Sequence, residues 1–221
     1  DAEGGPTAFV RDVARLVSGG HTELVEVRGV GRYRVLGATR DDAAGEAYDK
    51  VGKLLGLGYP GGPVIDALAQ EGDPTAHAFP RAMMKQDNFE FSFAGLKTAV
   101  LVHVEQHGSP DSRAALADIC ASFQAAVADV LVHKATRALR RTGLRRLHIV
   151  GGVAANRGLR EAATTRGARD GFEVRVPPLR YCGDNAAMIG AAAAARREAG
   201  IEPSVELYTN LPIDDDRLVI S

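Results

Sequence analysis

The chain has no sizeable net charge. Its 27 lysines and arginines meet 28 aspartates and glutamates among 221 residues, leaving a formal −1. No global basic field therefore draws it onto nucleic acid, and any polynucleotide contact must come from a local patch. Cysteine is scarce as well: Cys120 and Cys182 stand far apart with no paired-thiol spacing, which argues for a reducing compartment over a disulfide scaffold. Apolar runs stop short of a bilayer span, and the opening residues lack the basic-then-apolar layout of a secretion signal,. The expectation is a soluble, cytoplasmic protein with no membrane segment. A start methionine is also missing: Asp1-Ala2-Glu3-Gly4-Gly5-Pro6-Thr7 reads as a loose leader, as in a protein that has lost its beginning. Internal repeats and low-complexity linkers are absent. So are a nucleophile–base pair and a glutamate-bearing zinc motif, which disfavours peptidase chemistry.

What is present is ordinary globular composition, 45% hydrophobic and 25% charged, with length enough for one large domain or a domain carrying an inserted piece. Arg15-Leu16-Val17 reads as a strand leading into a β-hairpin of Thr22 to Val27 and Tyr33 to Leu36, turned by Gly29-Val30-Gly31. From Asp41 the spacing becomes helical through Leu55, ended by Gly56 to Gly58, and Pro60-Gly61-Gly62-Pro63 opens a second short helix. Residues 71–90 are turn-rich, with a helix expected from Phe93 to Val104, and 71–108 together read as an insertion or lid. Ser109-Pro110-Asp111 predicts the start of a long helix with the apolar stripe Leu116, Ile119, Cys120, Phe123, Val127, Val130, Leu131 and Leu139, stopped by Gly143. Then come a buried strand from Arg146 to Val150, a helix from Arg157, a strand from Glu173 to Val176, and an alanine-rich helix from Asp184 to Ala199. The small residues of that last helix predict close packing on a neighbour. The pattern is α/β, with a leader over 1–15, one lobe over 16–205 and a tail over 206–221. Ligands of such folds gather where strands hand over to helices.

Three glycine corners punctuate this order: Ser18-Gly19-Gly20-His21-Thr22, Tyr59-Pro60-Gly61-Gly62-Pro63 and Gly151-Gly152-Val153-Ala154-Ala155-Asn156. Glycine admits positive φ and lets the main chain approach a ligand. The first corner is either a hairpin bend or a phosphate nest of two glycine N–H groups with the Ser18 and Thr22 hydroxyls. Asp49, ahead of the second, either pairs with Lys53 on a solvated face, as Glu46 does with Lys50, or holds ribose hydroxyls; the glycine and alanines beside it favour the latter. The third corner sits between strand and helix, the context that makes such a corner a nucleotide site. Asn156 either holds a sugar or base or caps the helix. Asp184 reads as a helix cap or a hard-metal ligand, capping being the simpler. His103 and His107 lie one helical turn apart without an obvious third ligand. Lys134, Arg137, Arg140, Arg141, Arg145 and Arg146 are the best local candidate for RNA phosphates, against the default of a solvated helix end.

Leu16 to Thr22, Asp41 to Lys50, Tyr59 to Pro63, Phe91-Ser92-Phe93-Ala94-Gly95-Leu96-Lys97-Thr98, Gly151 to Asn156 and Cys182 to Met188 together resemble the TsaD family of tRNA N6-adenosine threonylcarbamoyltransferases, over about Leu16 to Gly200. The resemblance implies the nucleotide-binding fold of actin, hexokinase and Hsp70 (the ASKHA fold), here mainly its C-terminal lobe. It implies transfer of threonylcarbamoyl from threonylcarbamoyl-AMP to adenosine 37 of tRNAs reading codons that begin with A, with TsaB- and TsaE-type accessory proteins. By motif, Leu16, Val17, Ser18, Gly19, Gly20, Asp49, Gly62 and Asn156 would bind substrate, and Asp184 would be a ligand of one Fe2+ ion. The family's other two ligands form a His-x-x-x-His pair, and nothing in 1–15 matches it; Ala94 stands where the family usually has serine. Other readings are a non-catalytic nucleotide- or partner-binding fragment of such an enzyme and an ATP-dependent small-molecule kinase of the same fold, though no sugar-binding signature is present.

Overall fold

A computed structural model describes residues 12–17, 20–201 and 213–214, the side chains of 14–17 excepted. Its centre is a five-stranded sheet in the order β3-β2-β1-β4-β5. β1 (Asp12–Val17), β2 (Thr22–Gly29) and β3 (Arg32–Ala38) form the antiparallel half. β4 (Arg146–Val150) and β5 (Glu173–Arg175) add in parallel, β1 being the hinge strand with Leu16 opposite Val150. β1 begins at Asp12, so part of the expected leader belongs to the sheet. The hairpin turns at Gly31, whose φ of 71° needs glycine,. β2 does not alternate cleanly, because Leu24, Val25 and Glu26 are all buried, with Glu26 reached by Arg28 at 3.1 Å and Arg34 at 2.9 Å.

Helix α1 (Ala44–Leu54) follows the hairpin, and α2 (Gly61–Ala69) leaves the second glycine corner. α3 (Ala94–His107) comes after the turn-rich stretch. Phe91, Phe93, Leu96 and Val100 sit in the main core, so the second half of the expected lid is structural. Asp41 accepts from the Ser92 hydroxyl at 2.5 Å and from the N–H groups of Phe93 and Ala94 at 2.8 and 3.2 Å, capping α3 from a distant loop.

α4 (Arg113–Thr142) is the spine. Its cap is Ser112, accepting from Ala115 N–H at 3.2 Å, in place of the expected Ser109. Gly143 ends it in the left-handed conformation that glycine adopts freely,. The stripe Ile119, Cys120, Phe123, Val127, Val130, Leu131 and Leu139 is buried as expected, with Leu116 partly so. Contrary to the expectation of short apolar runs, α4 is long and apolar enough to cross a bilayer by length and composition, yet it packs inside the protein as a core helix. Burial pushes the Cys120 thiol up to about 12,.

β4 runs into a 3-10 turn (Gly152–Ala155) and α5 (Arg157–Asp170), and after β5 the chain forms α6 (Ala186–Glu198). No α6 residue is buried, and Met188 and Ile189 are exposed. The close packing expected of its small residues is not made among the described residues.

Candidate nucleotide cleft

Parallel pairing sends β1 and β4 out of the sheet at the same edge, where their glycine corners begin. Helices α1 and α2 close on that edge through two glycines. A Cβ at Gly61 would lie 2.6 Å from the Tyr48 carbonyl oxygen and 3.0 Å from Asp49 Cα, and one at Gly52 would lie 2.7 Å from Gly61 Cα. Only bare backbone lets the helices approach so closely. Between α1, α2 and the start of α5 lies a cavity of about 380 Å³, within the range of small-molecule sites. Pro60, Pro63 and Val153 give it apolar walls, while Asp49, Asp66, Asn156 and Arg157 bring polar groups.

Of the residues the sequence singled out, Asp49, Gly62 and Asn156 line this one cavity. Leu16 and Val17 are the last two residues of β1. Gly20 is an exposed bend beyond the lining, and Ser18 and Gly19 lie outside the described residues. The Thr22 hydroxyl is not part of a phosphate nest: it is buried and accepts from Ala44 N–H at 2.8 Å, capping α1. Asp49 forms no ion pair with Lys53 among the described residues. Its Oδ1 accepts from Gly61 N–H at 2.8 Å, holding the N-terminus of α2, while Glu46–Lys50 pairs as expected at 2.8 Å. Asp66 mirrors this on α2, accepting from Arg157 N–H at 2.9 Å. Asn156 caps α5, its Oδ1 taking Leu159 N–H at 2.8 Å, which is one of the two roles weighed from sequence, and it also lines the cavity.

Two further residues were not foreseen. Gln124 on α4, 4% exposed, accepts from Asn156 Nδ2 at 2.6 Å. Tyr48 on α1 lines the cavity; burial, then the charge of Asp66, raises its phenol far above the usual range. A glutamine interrupting the apolar stripe of α4 was the available signal.

Asp184 is exposed, and the cap of α6 is its neighbour Asn185, which accepts from Met188 N–H at 2.9 Å. One carboxylate is not a metal centre: among the described residues no group of three His, Cys, Asp or Glu side chains is placed to hold an ion. His103 and His107 stack at 4.4 Å, and His77 meets His103 edge-on at 4.4 Å. The basic stretch largely pairs with acids. Arg137 meets Asp87, Arg140 meets Asp170, and Arg146 bridges Asp12 and Glu173. Lys134 is buried, and Arg146 opens β4, at the end of the strand away from the cleft.

A five-stranded sheet in this order, with helices packed upon it and a cavity where parallel strands end, is the α/β arrangement expected of the ASKHA fold. Two crystal structures of HypF share the arrangement, each at a TM-score of 0.65 over 86% of this chain and about a third of theirs, at 13% and 15% identity. The match to the family model for TsaD, tRNA N6-adenosine threonylcarbamoyltransferase, runs over residues 6–191, and the chain belongs to that family. A relative of that name from Syntrophotalea carbinolica is 52% identical over 204 residues, covering 91% of this chain and 60% of the relative. One from Trichlorobacter lovleyi is 53% identical, covering 91% and 59%, and one from Anaeromyxobacter dehalogenans is 59% identical, covering 80% and 53%. The chain thus spans little more than half the length of these relatives.

Proposed function

We propose that the chain supplies the adenylate-holding lobe of an enzyme that transfers threonylcarbamoyl from threonylcarbamoyl-AMP to N6 of adenosine 37 in tRNAs reading ANN codons. The observation that carries this reading is the convergence of Asp49, Gly62 and Asn156 on one cavity in a member of the family. The HypF structure solved with phosphate and nucleotide lends support at the level of fold alone. Pro60, Pro63 and Val153 sandwich the purine, the second oxygen of Asp49 takes ribose hydroxyls, and the glycine N–H groups face the phosphate. Held so, the adenylate presents its carbamoyl carbon at the mouth. The tRNA amine attacks that carbon, the bond to the phosphate oxygen breaks, N6 gives up a proton and AMP departs. Main-chain N–H groups aimed at the oxygens that gain charge lower the barrier.

Asp184 enters this reading as one ligand of an iron ion, and nothing in residues 1–15 matches the family's other two ligands, the His-x-x-x-His pair. A metal there would supply Lewis-acid stabilisation; the described residues do not form the site, and no step is routed through it. TsaB- and TsaE-type proteins are the expected partners and the cytoplasm the expected compartment, in keeping with two free, buried cysteines. The test is tRNA modification, read by nucleoside mass spectrometry, with the protein, those partners, threonylcarbamoyl-AMP and tRNA. Asp49→Asn is expected to cut the rate at least about tenfold, and Asp184→Ala to abolish it; unchanged turnover in the second removes the metal assignment. The lack of a three-ligand group among the described residues favours one alternative, a nucleotide-binding unit without turnover of its own. Tight AMP binding without transfer supports that alternative.

A further inference from the structure

Gln124 is a nearly fully buried polar side chain on α4, at the wall of a groove that α2, α4 and α5 form. Its neighbours Ala121, Phe123, Val127 and Ala128 are buried in the apolar core. A buried amide left unpaired costs on the order of 1–3 kcal/mol, so core packing alone would favour leucine or methionine there.

We propose that Gln124, which does not line the cleft, is a positioning residue that sets the orientation of the Asn156 amide facing the guest; this rests on the nucleotide reading above. Gln124 Oε1 takes Asn156 Nδ2 at 2.6 Å, between two buried side chains. Asn156 Oδ1 takes Leu159 N–H at 2.8 Å. The amide therefore has one allowed orientation, oxygen toward α5 and nitrogen toward α4. Room for this is built in: a Cβ on Gly158 would fall 2.4 Å from Gln124 Nε2. The network crosses the wall between two cavities, because Gln124 faces the groove of α2, α4 and α5 while Asn156 and Tyr48 face the cleft. Without the acceptor on Gln124, the amide turns, the cap on α5 loosens, and the wall that Asn156 and Tyr48 present to a nucleotide changes.

The test uses the chain itself, with AMP as the probe in calorimetry and thermal unfolding in parallel. Gln124→Met keeps the volume and removes the acceptor, whereas Gln124→Glu keeps an oxygen in place. The expected result is AMP binding weakened about tenfold in Gln124→Met and restored to within about twofold of the parent in Gln124→Glu. If the parent binds AMP and folded Gln124→Met binds it equally well, Gln124 is a packing residue only and the proposal is overturned while the nucleotide reading stands. If the parent does not bind AMP, both fall. Should Gln124→Met fail to fold, Gln124→Asn keeps an amide but draws the acceptor back by one methylene; it is expected to weaken AMP about threefold, and unchanged affinity overturns the proposal.

Discussion

At Thr22, Asp49, Asp66 and Asn156 a polar side chain near the cleft holds the first N–H groups of a helix, so the site is built from helix caps. Unpaired N-terminal N–H groups demand acceptors; Asn156 is the local cap of α5, while Thr22, Asp49 and Asp66 reach α1, α2 and α5 from neighbouring elements. The same device at Asp41 can be tested by pH. Burial alone would raise its pKa, but the Ser92 hydroxyl and the N–H groups of Phe93 and Ala94 outweigh this and hold it below the ordinary carboxylate value. A depressed folded pKa stabilises above the unfolded value of about 3.9 and is lost as pH falls through the folded one. Asp41→Asn is expected to lower Tm at pH 7 by about 2–4 °C, with the gap to the parent closing in acid; an equal gap at pH 7 and pH 3 would contradict the assignment. Lys134 offers a second residue-scale test. Wholly buried, it donates to Gln86 O at 3.3 Å, Asn88 O at 2.8 Å and Asn88 Oδ1 at 2.9 Å, pinning the turn-rich stretch to α4. Lys134→Met should cost about 2–4 kcal/mol in urea denaturation.

For the elements, the close approach of α1 and α2 depends on a missing side chain. Gly61→Ala puts a methyl group against the Tyr48 carbonyl, a backbone atom that cannot swing aside. Parting the helices should cost about 1–3 kcal/mol and weaken AMP binding with it, read by thermal unfolding and calorimetry on the same samples; a stable Gly61→Ala with unchanged affinity would show that the contact is not required. Periodicity and punctuation made most elements legible: the hairpin, the α4 stripe and its Gly143 stop, and the strand–corner–helix from Arg146 through Arg157. Three features were not legible. The cap of α4 moved from Ser109 to Ser112, since local residues offer several acceptors within one turn. Phe91 and Phe93 entered the core from a stretch whose turn residues suggested a lid. The alanines of α6 promised a neighbour, because small side chains permit close packing without saying what does the packing.

At the scale of the whole molecule, the sheet order turns a list of distant motifs into a place. Pairing β1 in parallel with β4 brings chain separated by more than a hundred residues to one edge, and α1 and α2 complete the enclosure. Asp49, Gly62 and Asn156 could be named from sequence through the motifs that resemble the TsaD family, Asp49 also through the glycine and alanines beside it. Gln124 could not, because its partner is 32 residues away and on another element. The near-neutral whole carries a locally basic cluster outside the cleft lining, where Asp170 alone gathers Arg140, Arg166 and Arg169. That arginine-rich end is therefore expected to leave AMP affinity insensitive to Arg145→Ala, measured by the same calorimetry.

The most direct test is an amide chemical-shift map of the chain titrated with AMP. The account predicts that the amides of Gly45, Asp49, Gly62, Gly152 and Asn156 move together along one saturating curve, while those of Arg145, Glu173 and Arg175 stay still. Shifts confined to other faces, or none at millimolar AMP, would contradict it.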